Sequence, residues 1–553
     1  MLCPERLPQL SSGKHHLLPL DRSPRMQPAC IRHSDLPGTS RLFGDFTYHF
    51  ERVAKYYRHD PHNPESLRKA AAEIDYPADR RAALVKALLA QNGASQKAEQ
   101  NLEDNALRKL AEPGTVAVVT GQQVGLFTGP AYTIYKALTA VRMAQRLSEQ
   151  GIPAVPVFWL ATEDHDFAEV NHSWVFDALG QSHILRVDEP AASAGRQRPV
   201  GWISLGKPPV DELRASLKGM PFADEVIAAV EQAYVPGAGM GASFRALLQT
   251  LTRNLGIIFL DPLDPAIRAI AAPFIAKAVS SAAEIKPRLI ERNKELSAAG
   301  YHAQVHLDAR TSLFFLLENG ERVPVRRNDS DYSDLAGRAA QVSPNALLRP
   351  VMQDFLLPTV AYIGGPGELA YLAQSEVLYD ALLGRMPVVM ARSAFTLLDP
   401  RSAKLLDRYR LSVAQTLVPE HTLADRVARA LVPPELESSF EAAAANITSD
   451  VDRLKARLEA FDPTLAAALG TSRAKIVYQL EKMRGKTERE ALRRNQQASA
   501  EACHLSSMLF PHRHLQERFY SILPFAAQHG LDLVDRLYDA IELECPDHRV
   551  FSI

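Results

Sequence analysis

Cysteine is scarce in this chain. Its 553 residues hold four, Cys3, Cys30, Cys503 and Cys545, with no two at C-x-x-C or zinc-ligand spacing. No zinc site and no redox motif are therefore expected, only reduced thiols in a reducing, cytoplasmic compartment. Long hydrophobic runs are missing too: none approaches the roughly 20 residues that span a bilayer. The N-terminus carries Arg6, Lys14, Arg22 and Arg25 but no apolar stretch before a small-residue cleavage site, so neither a membrane span nor a cleaved signal is expected. Charge of one sign is also absent. With 63 Lys+Arg against 64 Asp+Glu, the net charge is -1, which excludes the electrostatic footprint of a nucleic-acid or anionic-membrane binder. Residues 1–25 are rich in Pro, Ser and His without periodicity and are expected to form a disordered leader.

What remains is the composition of an ordinary globular protein, long enough for two or three domains. From Arg41 to Leu110 apolar residues recur at helical spacing. The period then changes at Thr115–Val119, a short β-branched run between Pro113-Gly114 and Gly121, followed by a glycine loop and a helical pattern from Pro130 to Leu147. Ala154–Leu160, Gly256–Leu260, Ser312–Leu317, Thr359–Ile363 and Val388–Met390 are further strand candidates. Strands alternating with helices predict an α/β sheet, mainly parallel. Glu318-Asn319-Gly320-Glu321 predicts a hairpin turn, and this hairpin and an irregular stretch from Gly180 to Gly241 read as inserts. Beyond Leu436 the pattern is heptad-like: Ile447, Val451, Leu454, Leu458, Phe461 and Leu465, then Ile476, Leu480, Met483 and Thr487. Asp462-Pro463 between them predicts a cap and a new helix, hence an antiparallel hairpin with a seam suited to a symmetric dimer. Lys482-Met483-Arg484-Gly485-Lys486 lies inside that pattern and reads as a coiled-coil segment.

Three segments could carry chemistry. Gly121-Gln122-Gln123-Val124-Gly125, followed by Tyr132 and Lys136, places glycines and polar side chains between a strand and a helix N-terminus, where an anion or polar substrate can be held. The spacing is neither a dinucleotide-binding nor a Walker fingerprint. Glu163-Asp164-His165-Asp166, with Asn171 and His172, stands at the carboxyl end of a strand. Three acids around one histidine are expected to raise its pKa, as suits a general base. Gly364-Gly365-Pro366-Gly367-Glu368 with Tyr371 repeats the strand–loop–helix arrangement, and Arg392 is a candidate anion clamp. No metal site is expected.

Thr120-Gly121-Gln122-Gln123-x-Gly125-Leu126, running into Gly129-Pro130-x-Tyr132-Thr133-Ile134-Tyr135-Lys136-Ala137, resembles the bacillithiol-biosynthesis cysteine-adding enzyme family. So do Pro156-Val157-Phe158-Trp159 leading into Glu163–Phe167, Ala361-Tyr362-x-Gly364-Gly365-Pro366-Gly367-Glu368, and the tail Leu509-Phe510-Pro511 with Leu515–Arg518. The resemblance implies a Rossmann-like core at 26–430 related to class I synthetases, with connecting-peptide-like insertions at about 180–241 and 300–350. It implies a coiled-coil dimer hairpin at 431–500 and a segment at 501–553 that returns to the core. The implied activity is a ligase joining cysteine to the amine of glucosaminyl-malate (GlcN-Mal), with ATP and Mg²⁺ activating the cysteine carboxylate as an acyl-adenylate. In that scheme His165 takes the amine proton and Asp164 or Asp166 orients it, with Glu163 beside them. The 121–129 loop and Lys136 hold phosphate or malate oxygens, Lys136 and Arg392 supply the cations, and Glu368 pairs with a substrate ammonium. A nucleotidyltransferase and a non-catalytic nucleotide-binding protein on the same fold are the alternatives. An aminoacyl-tRNA synthetase would need a K-M-S-K-S loop outside the heptads.

Overall fold

The computed structural model describes residues 30–91, 102–190, 193, 195–308, 311–325 and 333–553; the expected leader lies outside them. Five apolar runs form one sheet: β1 (Val116–Gln122), β2 (Ala154–Leu160), β3 (Ile258–Leu260), β4 (Thr359–Gly364) and β5 (Val388–Ala391). Their order is β5-β4-β1-β2-β3, and every neighbouring pair is parallel. Successive side chains of a strand point to opposite faces. Val116 and Val118 accordingly pack with Ala140, Met143 and Leu147 of helix α1 (Tyr132–Glu149), while Ala117 and Val119 join Leu369 and Leu372 of helix α2 (Pro366–Leu382). Burial on both faces is why these strands read as runs rather than alternations.

The chain order explains where a ligand can sit. β1, β2 and β3 step outward in one direction, and β4 then returns to the other side of β1. The crevice at the carboxyl ends of β1 and β4 is the switch point at which such sheets bind ligands. Gly121-Gln122 and Gly364-Gly365 stand at its two lips.

The outlying segments differ from expectation in two places. The strand expected at Ser312–Leu317 is Phe314–Glu318, and it belongs to a separate antiparallel sheet with Glu321–Pro324 and Val342–Pro344. Its turn is the expected one, with Asn319 and Gly320 at φ 53° and 76°. The stretch from Gly180 to Gly241 is not irregular. It contains helices Val210–Ser216 and Ala223–Ala233, and Met240–Leu251 follows directly. Leu213, Leu217, Val226 and Val230 bury into the core, but intervening Pro and Gly break the periodicity that would reveal these helices.

Helices α3 (Pro434–Glu459) and α4 (Pro463–Arg494) form the antiparallel hairpin. The Asp462 side chain accepts from the Thr464 N–H at 2.7 Å, as its place before Pro463 predicts. No residue of α3 is buried; Phe461 is 82% exposed, and Leu454, Ile476 and Met483 about half. Helix α5 (Gln496–Leu509) carries the chain back, burying Leu505 and Leu509. The last strand, His548–Ser552, pairs with Phe395–Leu398 and with Cys30–Ile31. No single helix among the described residues is long and apolar enough to cross a membrane.

Candidate active site

The loop after β1 is built for close approach. A Cβ on Gly121 would come within 2.8 Å of the Trp159 carbonyl oxygen, so only glycine lets β1 and β2 end side by side here. Phe127, Thr128 and Gly129 all have positive φ, a cost that neighbouring contacts must hold in place. The Tyr234 hydroxyl accepts from the Phe127 N–H at 2.8 Å, and the Ser521 hydroxyl donates to the Phe127 carbonyl at 3.2 Å.

Two buried ion pairs make the floor. Lys136, 1% exposed, donates to the Gly121 carbonyl, to Gln122 Oε1 at 3.0 Å and to Glu368 Oε2 at 2.5 Å. A lysine has three donors, and all three are engaged. Glu368 also accepts from the Tyr362 hydroxyl at 2.6 Å and from the Gly365 N–H at 2.8 Å. Burial pushes the Glu368 carboxyl up, but Lys136 and that N–H outweigh it, and the group lies below its ordinary value; burial lowers Lys136. Arg392 makes a bidentate pair with Glu517, at 2.9 and 2.6 Å, with side chains 5% and 2% exposed. Lys136 and Arg392, expected from the sequence to clamp anions, and Glu368, expected to pair with an ammonium, line the cavity but are paired with protein groups here. Each is committed to a protein group.

The acidic segment after β2 also divides. Glu163 is buried against Arg268 at 2.5 Å, and Asp166 caps the short helix Phe167–Val170 by accepting from the Glu169 N–H. Neither is hydrogen-bonded to the His165 ring, although Asp166 acts on it through its charge. Asp164 accepts from Gln123 Nε2 at 2.8 Å and the His165 N–H at 2.7 Å, and its Oδ1 lies 3.8 Å from His165 Nδ1. The nearest charged group to that ring is a cation: Arg322 Nη1 stands 3.1 Å from Nδ1. Burial first, and then Arg322, hold the imidazole below its ordinary value against Asp164 and Asp166. The rise expected from three acids is therefore reversed. A guanidinium only donates, so Nδ1 accepts and the neutral ring carries its proton on Nε2.

The three loops converge. A cavity of about 650 Å³ is lined by Gly121, Gln122 and Gln123, by Glu163 and Asp164, and by Gly365 and Glu368, with Tyr132, Lys136, Tyr371 and Arg392. His165 stands behind its wall, through Arg322 and Asp164. Gly125 and His172 line an adjoining lobe of about 250 Å³ that shares Gln122, Gln123 and Tyr132. Asn171 meets His172 at 3.3 Å. Gly364 lines a third lobe, of about 600 Å³, which shares Gln304 and Arg392 with the first and carries Arg41, His302, Arg513 and His514.

Comparison with known families decides the kinship. Residues 26–393 match the model described as bacillithiol biosynthesis BshC, N-terminal Rossmann-like domain, and residues 395–553 match the BshC C-terminal coiled-coil domain. The chain belongs to the BshC family. It is 53% identical over 537 residues to a Solibacter usitatus protein named "Putative cysteine ligase BshC", covering 96% of this chain and all of that one. Proteins of the same name from Koribacter versatilis and Symbiobacterium thermophilum are 37% and 35% identical, over 96% and 89% of this chain and 100% and 94% of theirs.

Within this BshC chain, sequence reasoning missed the cations that face the cavity without a carboxylate partner. Arg349 donates to Gln353 at 3.1 Å and to the Tyr371 hydroxyl at 2.7 Å. Arg322 donates to Ser343 Oγ at 3.1 Å and to the Pro344 carbonyl at 2.8 Å, and lies over the Phe315 ring. Arg518 lines all three lobes beside the Tyr132 ring. None of the three makes an ion pair with a carboxylate among the described residues. Arg518 lies in a motif quoted above, whereas Arg322 and Arg349 carry no motif at all.

Proposed function

We propose that the chain joins the carboxyl of cysteine to the amine of glucosaminyl-malate, completing bacillithiol in the cytoplasm. The carrying observation is the pair Arg322 and Arg349: Arg322 is buried and Arg349 half-buried, both face a cavity of about 650 Å³, and neither makes an ion pair with a carboxylate among the described residues. The malyl group brings two carboxylates that would add charge-assisted bonds to both guanidiniums. The basic lobe with Arg41, His302, Arg513, His514 and Arg518 fits the phosphates of ATP with Mg²⁺ carried on them. When bound, ATP supplies the activation that makes the cysteine carboxyl an electrophile.

The remaining chemistry belongs to Asp164 and His165. A carboxylate arriving at Arg322 competes for the N–H that occupies Nδ1. Once Arg322 is released, the ring gives up its Nε2 proton to solvent and takes one at Nδ1, where Nδ1–H donates to Asp164 and leaves Nε2 free to take the proton of the attacking amine. Gln122 and Gln123 at the lip orient the sugar hydroxyls. The exposed seam of α3 and α4 is covered by a second copy of the chain, which gives a homodimer.

The test is direct. Purified protein with cysteine, ATP and glucosaminyl-malate is expected to form bacillithiol by mass spectrometry, and to sediment as a dimer. ATP consumption that proceeds equally well without cysteine would replace this reading with nucleotidyl transfer.

A further inference from the structure

Two cysteines 515 positions apart meet at the surface. Cys30 opens the strand Cys30–Ile31 and lies in register with Arg549 of the last strand; Cys545 sits in the turn just before that strand. Their Sγ atoms are 3.7 Å apart, with Cys30 exposed and Cys545 half-buried. The approach is held from two sides. The strand pairing brackets it, and the Tyr48 hydroxyl accepts from the His33 N–H at 2.7 Å while donating to Asp547 at 2.6 Å. A bonded pair stands about 2 Å apart, so the sulfurs must close by less than their present separation. The segment after Cys30 is also not remote from the cleft, since His33, Ser40 and Arg41 form one wall of the basic lobe.

We propose that Cys30 and Cys545 are a modification site, a dithiol that is oxidised to an intramolecular disulfide by low-molecular-weight disulfides. The Cys30 thiolate attacks one sulfur of a small disulfide, breaks its S–S bond and releases one thiolate, leaving a mixed disulfide. The Cys545 thiolate then attacks the Cys30 sulfur and expels the second. Two protein thiols are oxidised, one small disulfide is reduced to two thiols, and the two protein protons leave with them. Burial and then the neighbouring Cys545 thiol hold Cys30 above its ordinary value, so the exchange quickens as pH rises. The bond closes a very long loop and ties the wall of the basic lobe to the last strand, which restricts the unfolded chain.

The experiment uses the full reduced chain with glutathione disulfide as the probe, followed by alkylation and non-reducing peptide mapping. The expected product is one disulfide per chain linking the peptides of Cys30 and Cys545, two hydrogens lighter, with a raised melting temperature. Cys545→Ser is expected to trap the probe on Cys30 as a stable mixed disulfide, and Cys30→Ser to abolish the link. The proposal is overturned if Cys30 links to Cys3 or Cys503, if the wild-type chain keeps the probe on Cys30 unresolved, or if both thiols remain alkylatable after the exposed Cys503 has reacted. None of these outcomes bears on the ligase reading.

Discussion

The floor and the wall of the cleft hold similar charges in opposite ways. On the floor, Lys136 pairs with a half-buried Glu368, and Arg392 with Glu517 in near-complete burial. On the wall, Arg322 is buried and Arg349 half-buried, and they rest on an imidazole, hydroxyls, an amide and a carbonyl. The contrast teaches that counting cations around a pocket does not say which of them a ligand can use. Donor accounting does. A cation in contact with a protein carboxylate shapes the site, and one without such an ion pair has donors that a ligand carboxylate can meet.

The sharpest way to break the comparison is to remove a floor charge. Arg392→Ala leaves Glu517 buried and unpaired, and it should cost about 3–5 kcal/mol of stability, read as a lowered urea midpoint. The double change Arg392→Met with Glu517→Leu should recover most of that loss, because it also removes the stranded charge. The pH dependence has a definite sign. Burial alone would raise the Glu517 carboxyl, but Arg392 prevails and holds it at about 2. The stabilisation is therefore present above the ordinary glutamate range and fades as pH falls toward about 2. An Arg392→Ala chain as stable as the parent would show that the floor pair shapes nothing.

On the wall the expected loss is functional. Hydrogen bonds to charged groups are worth about 1.5–3 kcal/mol, so Arg349→Ala should lower kcat/KM for glucosaminyl-malate about 10- to 100-fold. Its folded stability should move far less than that of Arg392→Ala. A glucosamine acceptor without the malyl group should be indifferent to the change. An equal loss for both acceptors would take Arg349 away from malate.

The split between floor and wall marks the limit of what was legible in the sequence. β1, β2, β4 and β5 announce themselves because strands buried on both faces must be apolar throughout, and Asn319-Gly320 and Asp462-Pro463 because turns and caps have local chemistry. The three loops were legible as segments at strand ends that line one cavity, since glycines there allow close approach. Partnership was not legible. Arg392 finds Glu517 across 125 residues, and Lys136 finds Glu368 across the switch point, so tertiary structure alone decides which charge is already answered. Arg322 enters beside His165 from an inserted hairpin, and no spacing rule connects position 322 with position 165.

That unforeseen contact gives the finest test of the comparison. Arg322→Gln keeps a donor for His165 Nδ1 but removes the positive charge, so the tautomer stays while the field changes. Burial is the larger reason the imidazole lies below its ordinary value and Arg322 the next, so the variant should regain only part of the shift. A base must be neutral to work, and a lowered value lets it stay neutral further into acid. Loss of Arg322 should therefore move the acid limb of the kcat/KM profile upward in pH, while His165→Gln should abolish that limb. Should the Arg322→Gln limb stay in place while activity falls, Arg322 holds substrate but does not tune His165. Movement of both together would tie the wall cation to the base, as the 3.1 Å approach of Arg322 Nη1 to Nδ1 implies.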